Sequence, residues 1–434
     1  MPEYGAARLS ELSESEVPGK SHRAQAWGLT GVIWLFLCLN FGDKVLLGLA
    51  AQPLQEEFDL SATDIGLASS VFYLATTIGM FATGLLTRSV TVKLAMAGLA
   101  TVWLFSTLPM VILGGLATLL ITRFILGLVE GPAYTLGVAA SFSWFPADKR
   151  SLPGAFIAAS TSISKIALAP LLAIAVAAFG WRAGFIGLSL ACLLWCALWL
   201  VVWKDGPYGA TNRTDPVSGR STPRIKWSTI FLSWTFLSAS AALLGYQAMV
   251  AVVLTWLPSF FEIGLGYSQL QAGAMFGLPS AVALIAMFTG SFLADRLMGK
   301  GVSSRIVRGS TSGLSLIICG VVLVLLPSFT APIVAVAAIS IGYGIGSLAF
   351  PLLISAISEI CPPAQLAGTM GAFMALSGIG GIVGPYLTGK IVDGSSSPLA
   401  GYNLSFQIFG LFALIGGVLA LFFVNPSRDA HRIG

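Results

Sequence analysis

Charge is what this chain has least of. Asp, Glu, Lys and Arg together make up 9% of its 434 residues, where a soluble domain carries about 25%. A surface that poor in charge cannot face water on all sides, so a soluble globular fold is excluded and lipid is the expected solvent. Histidine is scarcer still. The two, His22 and His431, fall in polar terminal stretches, which leaves no material for histidine-based catalysis or a histidine metal site. The five cysteines, Cys38, Cys192, Cys196, Cys319 and Cys361, are scattered, and none forms a CxxC. They read as reduced packing residues, without a disulfide framework or a metal site. No nucleophile–base set or cofactor loop appears, so neither an enzyme nor a cofactor is expected.

What is abundant is apolar. Hydrophobic residues make up 56% of the chain and the mean hydropathy is +0.88. Twelve runs are long enough to cross a bilayer, at 27–51, 65–87, 92–112, 115–142, 152–178, 182–203, 228–259, 270–297, 306–327, 331–356, 366–390 and 403–424. The spacing predicts an all-α integral membrane protein with twelve transmembrane helices in two pseudo-symmetric six-helix bundles. Residues 1–26 read as an N-terminal tail and 27–203 as the first bundle. The Gly-, Pro- and Ser/Thr-rich stretch 204–227 reads as a linker, 228–424 as the second bundle and 425–434 as a short tail. The first 25 residues lack an apolar core and a small-residue cleavage site, so they read as a cytoplasmic tail and not as a signal peptide. A duplicated unit is suggested by "GLLTRS" (84–89) and "GSFLADR" (290–296), each closing the second helix of its half with an expected Gly-started turn.

Of the 23 Lys and Arg, 18 fall in the two tails, the linker and the loops after helices 2, 4 and 8. The opposite side holds only Arg182 and Lys390, and its first loop is acidic: Glu56, Glu57, Asp59 and Asp64. The positive-inside rule then places both termini in the cytoplasm, in a cell inner (plasma) membrane. The net charge of +5 is a topology signal and gives no reason to expect nucleic acid. A monomer is the default, since six plus six helices enclose a pathway.

Three cations, Lys44, Arg123 and Lys165, and two acids, Asp43 and Glu130, fall inside expected helices of the first half. A charge at such depth costs roughly 2.5–3.5 kcal/mol on insertion scales, which makes it a candidate functional residue. In "RFILGLVEGP" (123–132) Arg123 and Glu130 share a face about 10 Å apart, with Gly127 between them leaving room. An Arg fork matches a carboxylate, and an acid in low dielectric takes up a proton readily, so the combination suits a proton-coupled anion site. Asp43 and Lys44 point about 100° apart. Lys44 is expected to face a central cavity and Asp43 to face helix 4; a buried ion pair that fixes packing is the alternative. Lys165, in "ASTSISKIALAP" (159–170), is flanked by small residues. It is expected either to contact a second acceptor on a substrate or to pair with Glu130 or Asp43. In helix 7, "GYQAMVAVVLTWLPSFF" (245–261) offers Tyr246 and Gln247 as hydrogen-bonding groups, or as helix–helix contacts, with Trp256 in an aromatic belt. The glycines of "GIGGIVGP" (378–385) permit close approach of helix 11 to a neighbour.

Taken with "WFPADKR" (144–150), "FGWRAGF" (179–185), "TWLPSFF" (255–261) and "GSFLADR", these stretches resemble the major facilitator superfamily, and more narrowly its anion:cation symporter family. The resemblance spans essentially the whole chain. It implies the major facilitator fold and import of an organic carboxylate (a sugar acid, an aromatic acid or a di-acid) with protons. It also implies that Asp43 and Glu130 handle protons while Lys44 and Arg123 hold the anion. Tyr73 lies one turn before the tyrosine position of the family's helix-2 pattern, which holds Thr76 here; with Gln247 and Lys165 it completes the expected substrate-binding set. Lys44 stands where the family has Arg, Thr87 stands for the Asp of the helix 2–3 turn, and helix 11 lacks the family's Asn. The alternatives are a proton-coupled exporter or antiporter of the same fold, or a transporter-like sensor. Helix 5 reads "KIALAPLLA" without the glycines of such exporters, and the short polar tails give no reason to expect a signalling domain.

Overall fold

The computed structural model describes residues 20–145, 150–207, 225–362 and 365–433. Most of the expected N-terminal tail, the middle of the 204–227 linker and residues 146–149 of "WFPADKR" lie outside them, as do the side chains of 82–89, including Thr87 and Arg88. Twelve helices are long and apolar enough to cross a membrane: α1 Arg23–Phe58, α2 Ala62–Phe81, α3 Val92–Ile112, α4 Gly115–Phe142, α5 Leu152–Phe179, α6 Trp181–Val202, α7 Trp234–Gly264, α8 Gln269–Gly299, α9 Arg305–Val324, α10 Pro332–Glu359, α11 Gly368–Asp393 and α12 Pro398–Phe423. The protein is a multi-pass membrane protein.

Several boundaries differ from the hydropathy reading. α1 runs on through "QPLQEEF", whose Gln, Leu and Glu are good helix formers. Glu56 and Glu57 therefore end a helix instead of lying in a loop, and Asp59 turns the chain at φ 51°. A short helix, Trp227–Phe231, precedes α7, whose start is set by Ser233 accepting a hydrogen bond from Phe236 N. α12 begins at Pro398, behind a Ser397 cap, because proline's missing N–H costs nothing in a first turn. "GLLTRS" and "GSFLADR" both lie within helix, so the expected turns there are not formed.

The two halves share one packing scheme. In the first, α2 packs on α4, α3 on α4 and α6, and α1 on α5 and α6; in the second, α8 packs on α10, α9 on α10 and α12, and α7 on α11 and α12. Each second-half pair is the first-half pair six helices later, as a duplicated unit predicts. The halves meet through α1 with α7, α2 with α11, and α5 with α8.

That meeting is close because it is built on glycine. A Cβ at Gly48 would strike the Leu254 and Thr255 carbonyls, one at Gly66 the backbone of Pro385 and Tyr386, and one at Gly389 the backbone of Ala62 and Thr63. Hydrogen bonds join the halves at the same end. Gln269 Nε2 donates to Leu49 O at 3.3 Å, and Tyr386 N donates to Ser70 Oγ at 3.2 Å. Asp393, closing α11, accepts from Ala62 N (3.0 Å), Thr63 N (2.7 Å) and Thr63 Oγ1 (2.5 Å). It thereby satisfies N–H groups that the start of α2 leaves without intrahelical partners. These contacts lie at the end that carries the connections α1–α2, α7–α8 and α11–α12. Trp256 belongs to this packing and not to a membrane-surface belt: it is fully buried and its indole donates to Pro385 O at 3.0 Å.

Candidate functional site

The buried charges of α1 and α4 pair across the two helices. Arg123 Nη1 lies 2.7 Å from Asp43 Oδ2, with both side chains 2% exposed or less. Lys44 Nζ lies 2.6 Å from Glu130 Oε2, with side-chain exposures of 12% and 1%. The second contact is charge-to-charge without aligned hydrogen-bond geometry. Both α1 charges thus turn to α4, where Arg123 and Glu130 are two helical turns apart. The lysine arm spans that gap because a helical side chain leans toward its own N-terminus. Lys44 lines the cleft between the halves but is not free there: it is tied to Glu130 while its ammonium also lies 4.2 Å from the Phe41 ring centroid and 5.3 Å from that of Phe72. Gly127 does not leave room for a ligand; a Cβ there would meet the α2 backbone at Phe72 and Thr76, so it brings α2 against α4.

The pairs are incompletely satisfied. Asp43 Oδ1, Arg123 Nε and Glu130 Oε1 are buried without hydrogen-bond partners. A buried pair is strongly stabilising relative to either member alone, yet replaceable as a unit. Two matched pairs with spare donors and acceptors can exchange partners: a proton on the acid, or an anion on the cation.

Lys165 joins neither pair. It is 8% exposed, and the expected alternative of an ion pair with Glu130 or Asp43 is not formed, because each acid holds another cation. The Lys165 ammonium lies 5.8 Å from the ring centroid of Tyr343 on α10, in the opposite half. Around it α5 widens into a π-helical turn, Ser164–Leu168, directly before Pro170. Proline lacks the N–H and crowds the preceding turn, which accounts for the wide turn there. Ser164 Oγ donates to Cys38 O of α1 at 2.8 Å, and Gly277 of α8 packs against the backbone of Lys165 and Ile166.

A narrow cleft between the halves is lined by Lys44, Leu47, Ser69, Phe72, Tyr73, Arg123, Leu254 and Thr255. Of the expected site residues, it brings together Lys44, Arg123 and Tyr73. Lys165 and Gln247 are not among them; Gln247, half-buried on α7, sits two turns from Leu254, about 10 Å along the axis. Tyr246 packs against Phe350. Tyr343 was missed by the sequence reading. Its only signal is that it is a polar aromatic between Gly342 and Gly344 in an apolar run.

Twelve spans, two alike six-helix halves and paired charges beside the cleft between them are the build of a membrane transporter. The chain belongs to the Major Facilitator Superfamily, whose pattern matches residues 33–347 and 302–433. It is 27% identical to the probable sulfoacetate transporter SauU of Cupriavidus necator, over 92% of this chain and 93% of that one. It is 26% identical to the hexuronate transporter of Bacillus subtilis, over 91% of this chain and 94% of the other. Among solved structures, a bacterial homologue of the human lysosomal transporter Spinster, inward-facing and unoccupied, is similar with a TM-score of 0.78, at 15% identity and over 95% and 99% of the two chains.

Proposed function

We propose that the protein is a secondary transporter that imports an organic carboxylate together with protons by alternating access. The observation that carries this reading is the crossed pairing of α1 and α4: Asp43 with Arg123, Lys44 with Glu130. In low dielectric, a proton on Glu130 removes the counter-charge of Lys44, and a proton on Asp43 removes that of Arg123. Each freed cation is then best neutralised by an incoming carboxylate. Each proton and the carboxylate group that replaces it enter as one neutral addition, and the empty site returns to its own ion pairs. This is coupling by exchange of partners, with Asp43 and Glu130 as proton carriers and Lys44 and Arg123 as the anion's ligands. Tyr73 lines the same cleft, and Gln247 lies along the pathway toward the other end of α7.

The relatives support the substrate class. Sulfoacetate and a hexuronate differ in shape and share a carboxylate. The distribution of Lys and Arg supports cytoplasmic termini in a cell inner membrane. With that orientation the glycine-lined contacts close the outer end, and the two halves, 27–203 and 228–424, are the bodies that rock. A monomer contains the whole pathway.

The test is uptake in proteoliposomes. With an inward proton gradient, labelled hexuronate or sulfoacetate accumulates above equilibrium, and a protonophore abolishes the accumulation. No uptake or counterflow of any organic acid, by protein shown to be folded, rejects the reading.

A further inference from the structure

We infer that the substrate carries two separated anionic groups and that Lys165 is the specificity-determining residue for the second. The inference rests on the proposed carboxylate transport and deepens it.

The argument begins with charge. Among the described residues, the interiors of α1, α4 and α5 hold three cations against two acids, Lys44 half-buried and the rest buried, and the acids are each committed: Asp43 to Arg123 and Glu130 to Lys44. The Lys165 residue is nine-tenths buried, and its ammonium has no carboxylate and no hydrogen-bond acceptor among the described residues. A lysine at membrane depth is unfavourable unless a partner or water compensates it. A protein that needed only a filler at 165 would place an apolar residue there, as at Ile163, Ile166 and Leu168 beside it.

Position turns that cost into a site. The α5 turn bearing Lys165 is fixed on both sides: Ser164 Oγ holds Cys38 O of α1, and Gly277 of α8 packs on the backbone at 165–166. The ammonium reaches across the seam to the Tyr343 ring on α10, 5.8 Å from its centroid; it does not line the cleft of Lys44, Tyr73 and Arg123, which opens between the same two halves. The level of α1 that contacts Ser164 lies six residues below Lys44, roughly 9 Å of helix rise. Two lysines on flexible four-carbon arms at that offset suit a short molecule with an anionic group at each end. When a proton occupies Glu130, Lys44 takes one group and Lys165 the other. A monoanion leaves Lys165 unmatched. The shared chemistry of the second group is a full negative charge, whether carboxylate or sulfonate.

Tests use the full-length protein in proteoliposomes, with wild type, Lys165→Gln and Lys165→Arg compared for uptake of matched pairs. Glucarate against gluconate, and sulfoacetate against acetate, separate the two sources of the second charge. The wild type is expected to prefer one dianion over its monoanion. Lys165→Gln is expected to lower that preference at least tenfold, and Lys165→Arg to restore most of it. Thermal unfolding in detergent checks that each variant is folded. An unchanged dianion-to-monoanion ratio in folded Lys165→Gln overturns the inference and leaves carboxylate transport standing, as does a wild type that prefers the monoanions. Failure of wild type to take up or exchange any of the four acids, or hexuronate, overturns the transport reading itself. An equal loss for both members of a pair, with a shifted pH optimum, assigns Lys165 to the proton site and also overturns the inference. If Lys165→Gln does not fold, binding of both members of each pair to wild type, read as ligand-induced rise in Tm, decides: a larger rise for the dianion supports the inference and an equal rise overturns it.

Discussion

Asp393 and Thr63 belong to opposite halves of the chain, yet the carboxylate of the first accepts both the backbone N–H and the hydroxyl of the second. The same carboxylate accepts from Ala62 N. Removing a helix cap of this kind costs about 0.5–2 kcal/mol, which shifts a two-state equilibrium by roughly 2- to 30-fold. Asp393→Ala is therefore expected to open this end more often. A thiol introduced at Ser69, in the cleft beneath, in a background without native cysteines, reports it. Labelling by a membrane-impermeant maleimide from that side is expected to speed up, and an unchanged rate would show that Asp393 does not hold the halves together.

Arg123→Lys keeps the charge and loses the planar fork. Lysine cannot offer parallel donors to a substrate carboxylate while remaining near Asp43. Substrate affinity is expected to fall at least about tenfold, with the protein still folded. Near-normal affinity would remove Arg123 from the anion site.

Glu130→Gln fixes the partner of Lys44 in a neutral state. Wild-type uptake is expected to fall as the external pH rises, because the acid is then less often protonated. Uptake by Glu130→Gln loses that dependence. Accumulation driven by a proton gradient is expected to vanish while exchange of internal for external substrate persists in part. Accumulation equal to wild type would place the proton carrier elsewhere.

Asp43→Ala leaves the guanidinium of Arg123 buried without its acid. Breaking one side of a buried pair costs about 3–5 kcal/mol. The double variant Asp43→Ala, Arg123→Leu is expected to regain much of that loss, since no buried charge remains unmatched. Thermal or denaturant unfolding in detergent of the two singles and the double measures the coupling. Simple addition of the single effects would mean that the pair contributes nothing as a pair.

The fold was legible because lipid makes hydropathy a direct readout of burial: every span is an apolar run of the length a bilayer demands. The charged residues of the candidate site stood out for the same reason, being the few exceptions inside those runs. Their partners were not. A helical wheel assigns Lys44 a direction from its own Cα, while a long side chain lying along the helix reaches a residue two turns away, and Glu130 is such a residue. Tyr343 was hidden because a tyrosine in an apolar helix looks the same whether it packs in a core or faces a cation. Asp393 was hidden because its role depends on α2 arriving from the other half of the sequence.

The glycines at 48, 66 and 389 bear on how fast the molecule can work. Ordinary helix interfaces interlock, and parting them forces side chains through new rotamers. At these three places backbone lies on backbone, so in the proposed rocking the halves would part there without forcing side chains through new rotamers. What resists them is the handful of polar contacts at the rim, which either hold or release. Turnover should then be set by those few catches and not by the breadth of the surface they close.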